Sequence, residues 1–151
     1  MKRLIDGEVA KFIASTELVL YPHELTIVSV PRSEEETAKD LIGGIEAFSS
    51  ITFDVAEVSM VVETEEWNRL KGRFEEYSEE GPYRLITFDI VLDLSVVGYL
   101  SAVSARLVEA GVSIYALSTF LRDHILVKDE DATRAVKALR GLIEECRART
   151  E

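Results

Sequence analysis

Apolar and polar positions alternate along residues 84–94, "RLITFDIVLDL", and a helical period takes over soon after. Ile86, Phe88, Ile90 and Leu92 are apolar, while Thr87, Asp89 and Asp93 fall on the other face, the pattern of a half-buried strand. From Gly98 onward Leu100, Val103, Leu107 and Ala110 recur at helical spacing, and Gly111 stands where a C-terminal cap belongs. "VSIYALS" (112–118) and "HILV" (124–127) read as two strands close enough to pair as a hairpin. Asp129 can cap a last helix whose inner face is Ala132, Ala135, Leu139, Leu142 and Cys146. Arg140, Arg147 and Arg149 lie toward its C-terminal end, where positive charge suits the helix dipole. No further strand is evident after it.

The first half has a similar order in weaker form. Residues 1–16 read as a short, partly amphipathic lead-in helix or a loose arm. "ELVLYPHELTIVSV" (17–30) is rich in β-branched and aromatic residues, and Pro22 and His23 break it into two strand-like pieces. Ser33 with Glu36 three residues on is a capping-box signature, so a helix is predicted from there to about Phe48, weakened in its middle by Gly43-Gly44. "SSITFDVAEVSMVVE" (49–63) predicts two short strands with a turn near Asp54 to Glu57. A second helix follows from Thr64, with Trp67 and Leu70 as packing residues. "EEYSEEGP" (75–82), acidic and then Gly81-Pro82, resembles a linker.

Laying Leu25–Val30 on Leu85–Ile90 gives a degenerate repeat with a period near 60 residues. The first copy reads β-α-β-β-α followed by the strand at 84–92, and the second reads β-α-β-β-α; a β-α-β-β-α-β unit is the ferredoxin-like split. Since no strand is evident after the last helix, the two units are expected to exchange one. The predicted class is α+β: two ferredoxin-like units in tandem, with antiparallel sheets and helices on one face. The expected divisions are an N-terminal extension (1–16), a degenerate unit (17–80) and a clearer unit (83–148).

Composition narrows the function. A chain of 151 residues, 47% apolar, is long enough for one domain or two small ones. No apolar run approaches the ~20 residues that span a bilayer. Asp6, Glu8 and Lys11 interrupt the N-terminal stretch, so it does not read as a signal peptide. The single cysteine, Cys146, cannot form an internal disulfide and reads as a small apolar helix residue, so a reducing cytoplasm is expected. A net charge of −11 repels phosphate backbones, so nucleic acid is not an expected partner. The acidic runs "SEEE" (33–36), "ETEE" (63–66) and "EEYSEE" (75–80) read as solvated helix starts or loops rather than a metal site. The chain has no Gly-x-Ser-x-Gly elbow, phosphate loop, His-Glu-x-x-His or Cys-x-x-Cys, so no enzyme, cofactor or metal is expected.

"LDLSVVGYLSAVSARLVEAGVSIYALSTFLRDHILVKDEDATRAVKAL" (92–139) resembles the ACT-domain family. The resemblance is to its tandem branch, which holds small microbial proteins and the cytosolic arginine sensors of animals. "HELTIVSVP" and "FSSITFDVAEVSMVVETEEW" match the branch's first unit more loosely. The resemblance implies an amino-acid-binding regulatory module, with the ligand between two ACT units beside the loop from first strand to first helix. By position, the pocket residues it implies are Val96, Val97 and Gly98 in that loop, then Thr119, Phe120 and Asp123 in the hairpin. The acidic residue that supports arginine binding in that branch falls at Val96, so a guanidinium loses a countercharge here.

The residue types fit such a ligand. Amide groups at a helix N-terminus suit a carboxylate, and Gly98 lets the backbone come close. Asp123 can pair with an ammonium, Thr119 offers a hydroxyl and Phe120 an apolar wall. Each also has a purely structural reading: Asp123 as a turn residue paired with Arg122, Gly98 for close packing, Val96 and Val97 as core. His124 reads as a strand residue facing its neighbour, and His23 as a surface residue. The expected function is thus an amino-acid sensor acting as a homodimer, with output through contact with another protein. The alternative is a ligand-free structural ACT module that acts through protein contacts alone.

Overall fold

The computed structural model describes residues 5–151, so the first four residues of the lead-in segment lie outside it. The elements are α1 (Gly7–Ala14), β1 (Glu17–Leu20), β2 (Leu25–Pro31), α2 (Glu35–Gly43), β3 (Ser50–Phe53), β4 (Glu57–Glu63), α3 (Thr64–Leu70), β5 (Ser78–Asp89), α4 (Tyr99–Glu109), β6 (Tyr115–Ser118), β7 (Asp123–Lys128) and α5 (Ala132–Thr150). They divide into two compact units. One is Pro22–Arg84; the other joins the described residues up to Tyr21 with Leu85–Glu151. Among the described residues, no helix is long and apolar enough to cross a membrane.

In the unit Pro22–Arg84 the strands run in the order β3-β4-β2-β5. Antiparallel pairing sets Leu25 against Glu63 and Pro31 against Glu57. Alternate strand residues Val28, Val30, Val58, Met60 and Val62 pack with Ala38 and Leu41 of α2 and Trp67 of α3 in one core. Trp67 is fully buried, as its spacing predicts. Tyr77 meets it edge-on with ring centroids 5.2 Å apart, and its indole N–H donates to Glu79. That hydrogen bond, with Lys71 beside it, holds the Glu79 carboxyl below the usual range.

Three expectations fail in this unit. The helix predicted to reach Phe48 ends at Gly43, where two successive glycines withdraw helix propensity and Gly44 N–H turns back to Leu41 O. Its capping box does not form either. A 3-10 turn over Arg32–Glu34 precedes Glu35, which leaves Ser33 outside the cap position. The stretch 75–82 is not a linker. Glu34 accepts the N–H groups of Glu75 and Glu76 at 2.7 and 3.1 Å, and β5 begins at Ser78. Ser78, Glu79, Glu80 and Tyr83 pair with β2, with a register shift between Leu25 and Ile27. A Cβ on Gly81 would come within 3.2 Å of Leu25 O, so the close backbone approach there requires glycine.

The other unit has strand order β6-β7-β5-β1. Counted from the second half of β5, this is the same 2-3-1-4 order as in the first unit. The fourth strand, missing after α5, is supplied by β1, whose Glu17–Leu20 pairs antiparallel with Asp89–Ile86. Residues 17–21 therefore fold with 85–151, not with 22–80 as their place in the chain suggests. The lead-in helix is also part of this core: Val9, Ala10 and Ile13 of α1 pack with Leu139, Ile143 and Cys146 of α5. Ile86, Phe88, Ile125 and Val127 give the sheet's side of that core, and Leu107 the contribution of α4. Cys146 is buried there, which raises its thiol pKa, as suits a packing residue. The strand predicted over 84–92 stops at Asp89, since Ile90 N–H turns back to Phe88 O at 2.9 Å.

Candidate functional site

The segment 90–98 connects β5 to α4 and is shaped by its own polar groups. Asp93 Oδ1 accepts the N–H of Ser95 at 2.8 Å and its hydroxyl at 2.5 Å. These bonds hold the Asp93 carboxyl below its usual range. Val96 N–H closes the turn on Asp93 O at 3.0 Å. Gly98 then enters the left-handed region with φ 97°, and Tyr99 begins the helix. The first intrahelical bond runs from Ala102 N–H to Gly98 O, so the amides before it have no partner within the helix, and no side chain caps them.

Tyr99 anchors this helix start. Its ring is buried and meets Phe88 edge-on, with centroids 6.0 Å apart. The hydroxyl lies 2.6 Å from Thr16 Oγ1. Thr16 donates its own proton to Phe12 O at 2.8 Å, so Tyr99 is the donor to Thr16. Burial pushes the Tyr99 phenol up to about 12.

The facing wall is the hairpin tip between β6 and β7. Thr119 N–H donates to Arg122 O at 2.9 Å, and Thr119 Oγ1 donates to the same carbonyl at 3.1 Å. Ser118 hydroxyl donates to Asp123 Oδ1 at 2.8 Å. Arg122 pairs with Asp89 at 2.9 Å, not with Asp123, so the reading of Asp123 as its turn partner does not hold. Leu92 N–H donates to Leu121 O at 3.1 Å and ties the two walls together.

His124 lies just beneath, 8% exposed. Its Nδ1 is 2.9 Å from Thr87 Oγ1 and its Nε2 3.2 Å from Thr119 Oγ1. The Thr119 proton is already spent on Arg122 O, so Nε2–H donates to Thr119 and Nδ1 accepts from Thr87. Burial favours this neutral ring and lowers the His124 pKa, Asp123 opposing and Arg122 reinforcing the effect.

Between the two walls is a cleft of about 260 Å³. Val96, Gly98, Thr119, Phe120 and Asp123 line it. Val97, expected among them, does not: its side chain is 84% exposed, which also excludes a core role. Val96 is half-buried against the core. A Cβ on Gly98 would meet only Val9 Cγ2, at an ordinary 3.7 Å, so the backbone angle and not close packing calls for glycine. The sequence reading missed Asp93, Tyr99, Ser118 and Arg122, which also line the cleft. The signal for the first was present in "DLS", an Asx-turn pattern, but it was absorbed into the strand predicted to continue through Leu92.

The corresponding corner of the other unit, between β2 and α2 and the β3–β4 hairpin, holds the chain's own side chains. Arg32 donates to Asp54 O at 2.9 Å and to Glu35 at 2.8 Å, and its guanidinium lies 5.5 Å from the centre of the Phe53 ring. Among the described residues, no group of three or more His, Cys, Asp or Glu side chains is arranged to hold a metal.

Residues 79–141 match the ACT domain family model. No curated protein matches the chain. Among solved structures, a Vibrio cholerae protein of unknown function, described as a possible transport protein, is similar at 19% identity and a TM-score of 0.69, over 91% of this chain and 99% of that one. An Agrobacterium tumefaciens protein aligns at 21% identity and a TM-score of 0.70, covering 85% and 89%. The ligand-free regulatory subunit of aspartate kinase from Thermus thermophilus aligns at 12% identity and a TM-score of 0.65, covering 84% and 97%. Residues 79–141 are therefore similar to the ACT domain, and the fold is like that of aspartate kinase regulatory subunits.

Proposed function

We propose that this protein is an amino-acid-binding regulatory protein whose ligand occupies the cleft between the β5–α4 loop and the β6–β7 hairpin. The observation that carries the reading is the coincidence of that cleft with the segment matching the ACT domain. The uncapped amides of α4 suit an α-carboxylate. Asp123, with Ser118 on one oxygen, suits an α-ammonium. The aspartate kinase regulatory subunits of like fold support a regulatory role.

The protein works by binding, without turnover, in the cytoplasm. Both ring nitrogens of His124 are taken up by threonine hydroxyls, and Cys146 is sealed in the core. Binding holds the loop and the hairpin in one arrangement, and that arrangement is read by a second copy in a homodimer and by a partner protein. The unit Pro22–Arg84 suits the structural role instead, since Arg32 and Phe53 take up its corresponding corner.

The test is a thermal-shift screen against the twenty amino acids. A ligand at ~100 times its dissociation constant adds about 2.7 kcal/mol, enough to move the melting temperature by several degrees. Asp123→Ala should abolish the shift while leaving the ligand-free melting temperature nearly unchanged. A response that survives Asp123→Ala would place the ammonium elsewhere.

A further inference from the structure

We infer that the cleft selects amino acids with apolar side chains, an inference that rests on the proposed amino-acid site. The charges around the cleft are already engaged by the chain itself. Asp93 takes both the amide and the hydroxyl of Ser95. Arg122 is paired with Asp89. Asp123 takes the Ser118 hydroxyl on one oxygen, and an α-ammonium uses what acceptor capacity is left.

Among the cleft's side chains, the exposed remainder is apolar. Leu94 is 73% exposed, Phe120 77% and Leu121 45%, and all three line the cleft. They come from two separate elements, the loop before α4 and the hairpin tip, so their convergence is a property of the fold and not of one greasy stretch. Leu92 and Val96, both half-buried, continue the same surface inward. Single exposed apolar residues are ordinary, but a cluster around a concavity marks a binding surface. At about 260 Å³ the space lies just under the roughly 300–1,000 Å³ of drug-sized pockets, so it fits one small metabolite. An aliphatic or aromatic side chain covers this surface. A cationic or acidic one would set a charge against leucine, valine and phenylalanine.

The test is calorimetric titration of the full chain with leucine, isoleucine, valine, methionine, phenylalanine, alanine, serine, lysine, arginine and glutamate. The expected result is that at least one large apolar amino acid binds about tenfold or more tighter than alanine and tighter than every charged one. Tightest binding by lysine, arginine, glutamate or serine would overturn the inference and leave the amino-acid site standing. No binding by any amino acid would overturn both. Phe120→Ala combined with Leu94→Ala, two exposed positions whose loss leaves the core intact, should bring the preference over alanine down severalfold. An unchanged preference in this variant would also overturn the inference.

Discussion

Replacing Gly98 by alanine isolates the backbone strain on which the cleft depends. The residue sits at φ 97° and ψ −3°, immediately before α4. An added Cβ would touch only Val9 Cγ2, at a comfortable 3.7 Å, so there is no packing penalty to confuse the reading. The cost is then that of an L-residue with a Cβ in the left-handed region, ~1–2 kcal/mol. For a chain near 150 residues this corresponds to a fall of roughly 2–8 °C in melting temperature. Gly98→Asn should cost less, because asparagine enters that region more readily. Gly43→Ala is the control. It ends α2, has nothing within 4 Å of a Cβ and does not need positive φ, so alanine there should leave stability unchanged or raise it. Urea unfolding followed by far-ultraviolet circular dichroism measures all three. If Gly98→Ala were as stable as the parent, or if Gly43→Ala lost as much, the assignment of Gly98 to backbone conformation would be wrong.

Two further outcomes follow from buried groups beside the cleft. Tyr99→Phe removes the donor to Thr16, a residue 1% exposed, and should cost ~0.5–1.5 kcal/mol in the same urea assay; no loss would mean that this bond does not anchor α4. His124 has a lowered pKa in the folded chain, so as pH falls below its ordinary value of 6.5 the unfolded chain takes up a proton before the folded one does. Stability should therefore fall through that window and down to the lower folded value, and His124→Gln should flatten this part of the pH profile; a profile identical to the parent's would exclude His124 as its source.

The repeat was legible because both copies keep the same alternation, and laying Leu25 on Leu85 aligns the first strand of each unit. The hairpin and the α4 start were legible too, from the spacing of Leu100, Val103 and Leu107 and from the glycine at 98. The misreadings have physical causes. The start of β5 is hidden because its exposed positions are glutamates and its irregular pairing uses Gly81-Pro82, all of which look like loop in one dimension. Membership of β1 in the second unit has no local signal, since only its pairing with Asp89–Ile86 decides it. Val97 was carried into the pocket with its neighbours, but the turn closed by Asp93 and Val96 leaves its side chain facing solvent.

The two units also show how one topology yields two different corners. Both place a loop after the first strand opposite the hairpin joining the second and third. In Pro22–Arg84 the connection is a single 3-10 turn after Pro31, and it delivers Arg32 onto Phe53 and the Asp54 carbonyl. In the other unit β5 stops at Asp89, and the chain takes the longer path 90–98 before α4 begins. That path puts Asp93 and Ser95 to work on each other instead of across the corner. The loop carries no arginine to lay across the corner, and the space between loop and hairpin stays open, lined by Val96, Phe120 and Asp123. The cleft therefore arises here from loop length and from where the polar groups spend their hydrogen bonds, on a strand order common to both halves. The same reasoning explains why strand and helix periodicity, which are nearly equivalent in the two copies, could not by themselves say which half would carry the cleft.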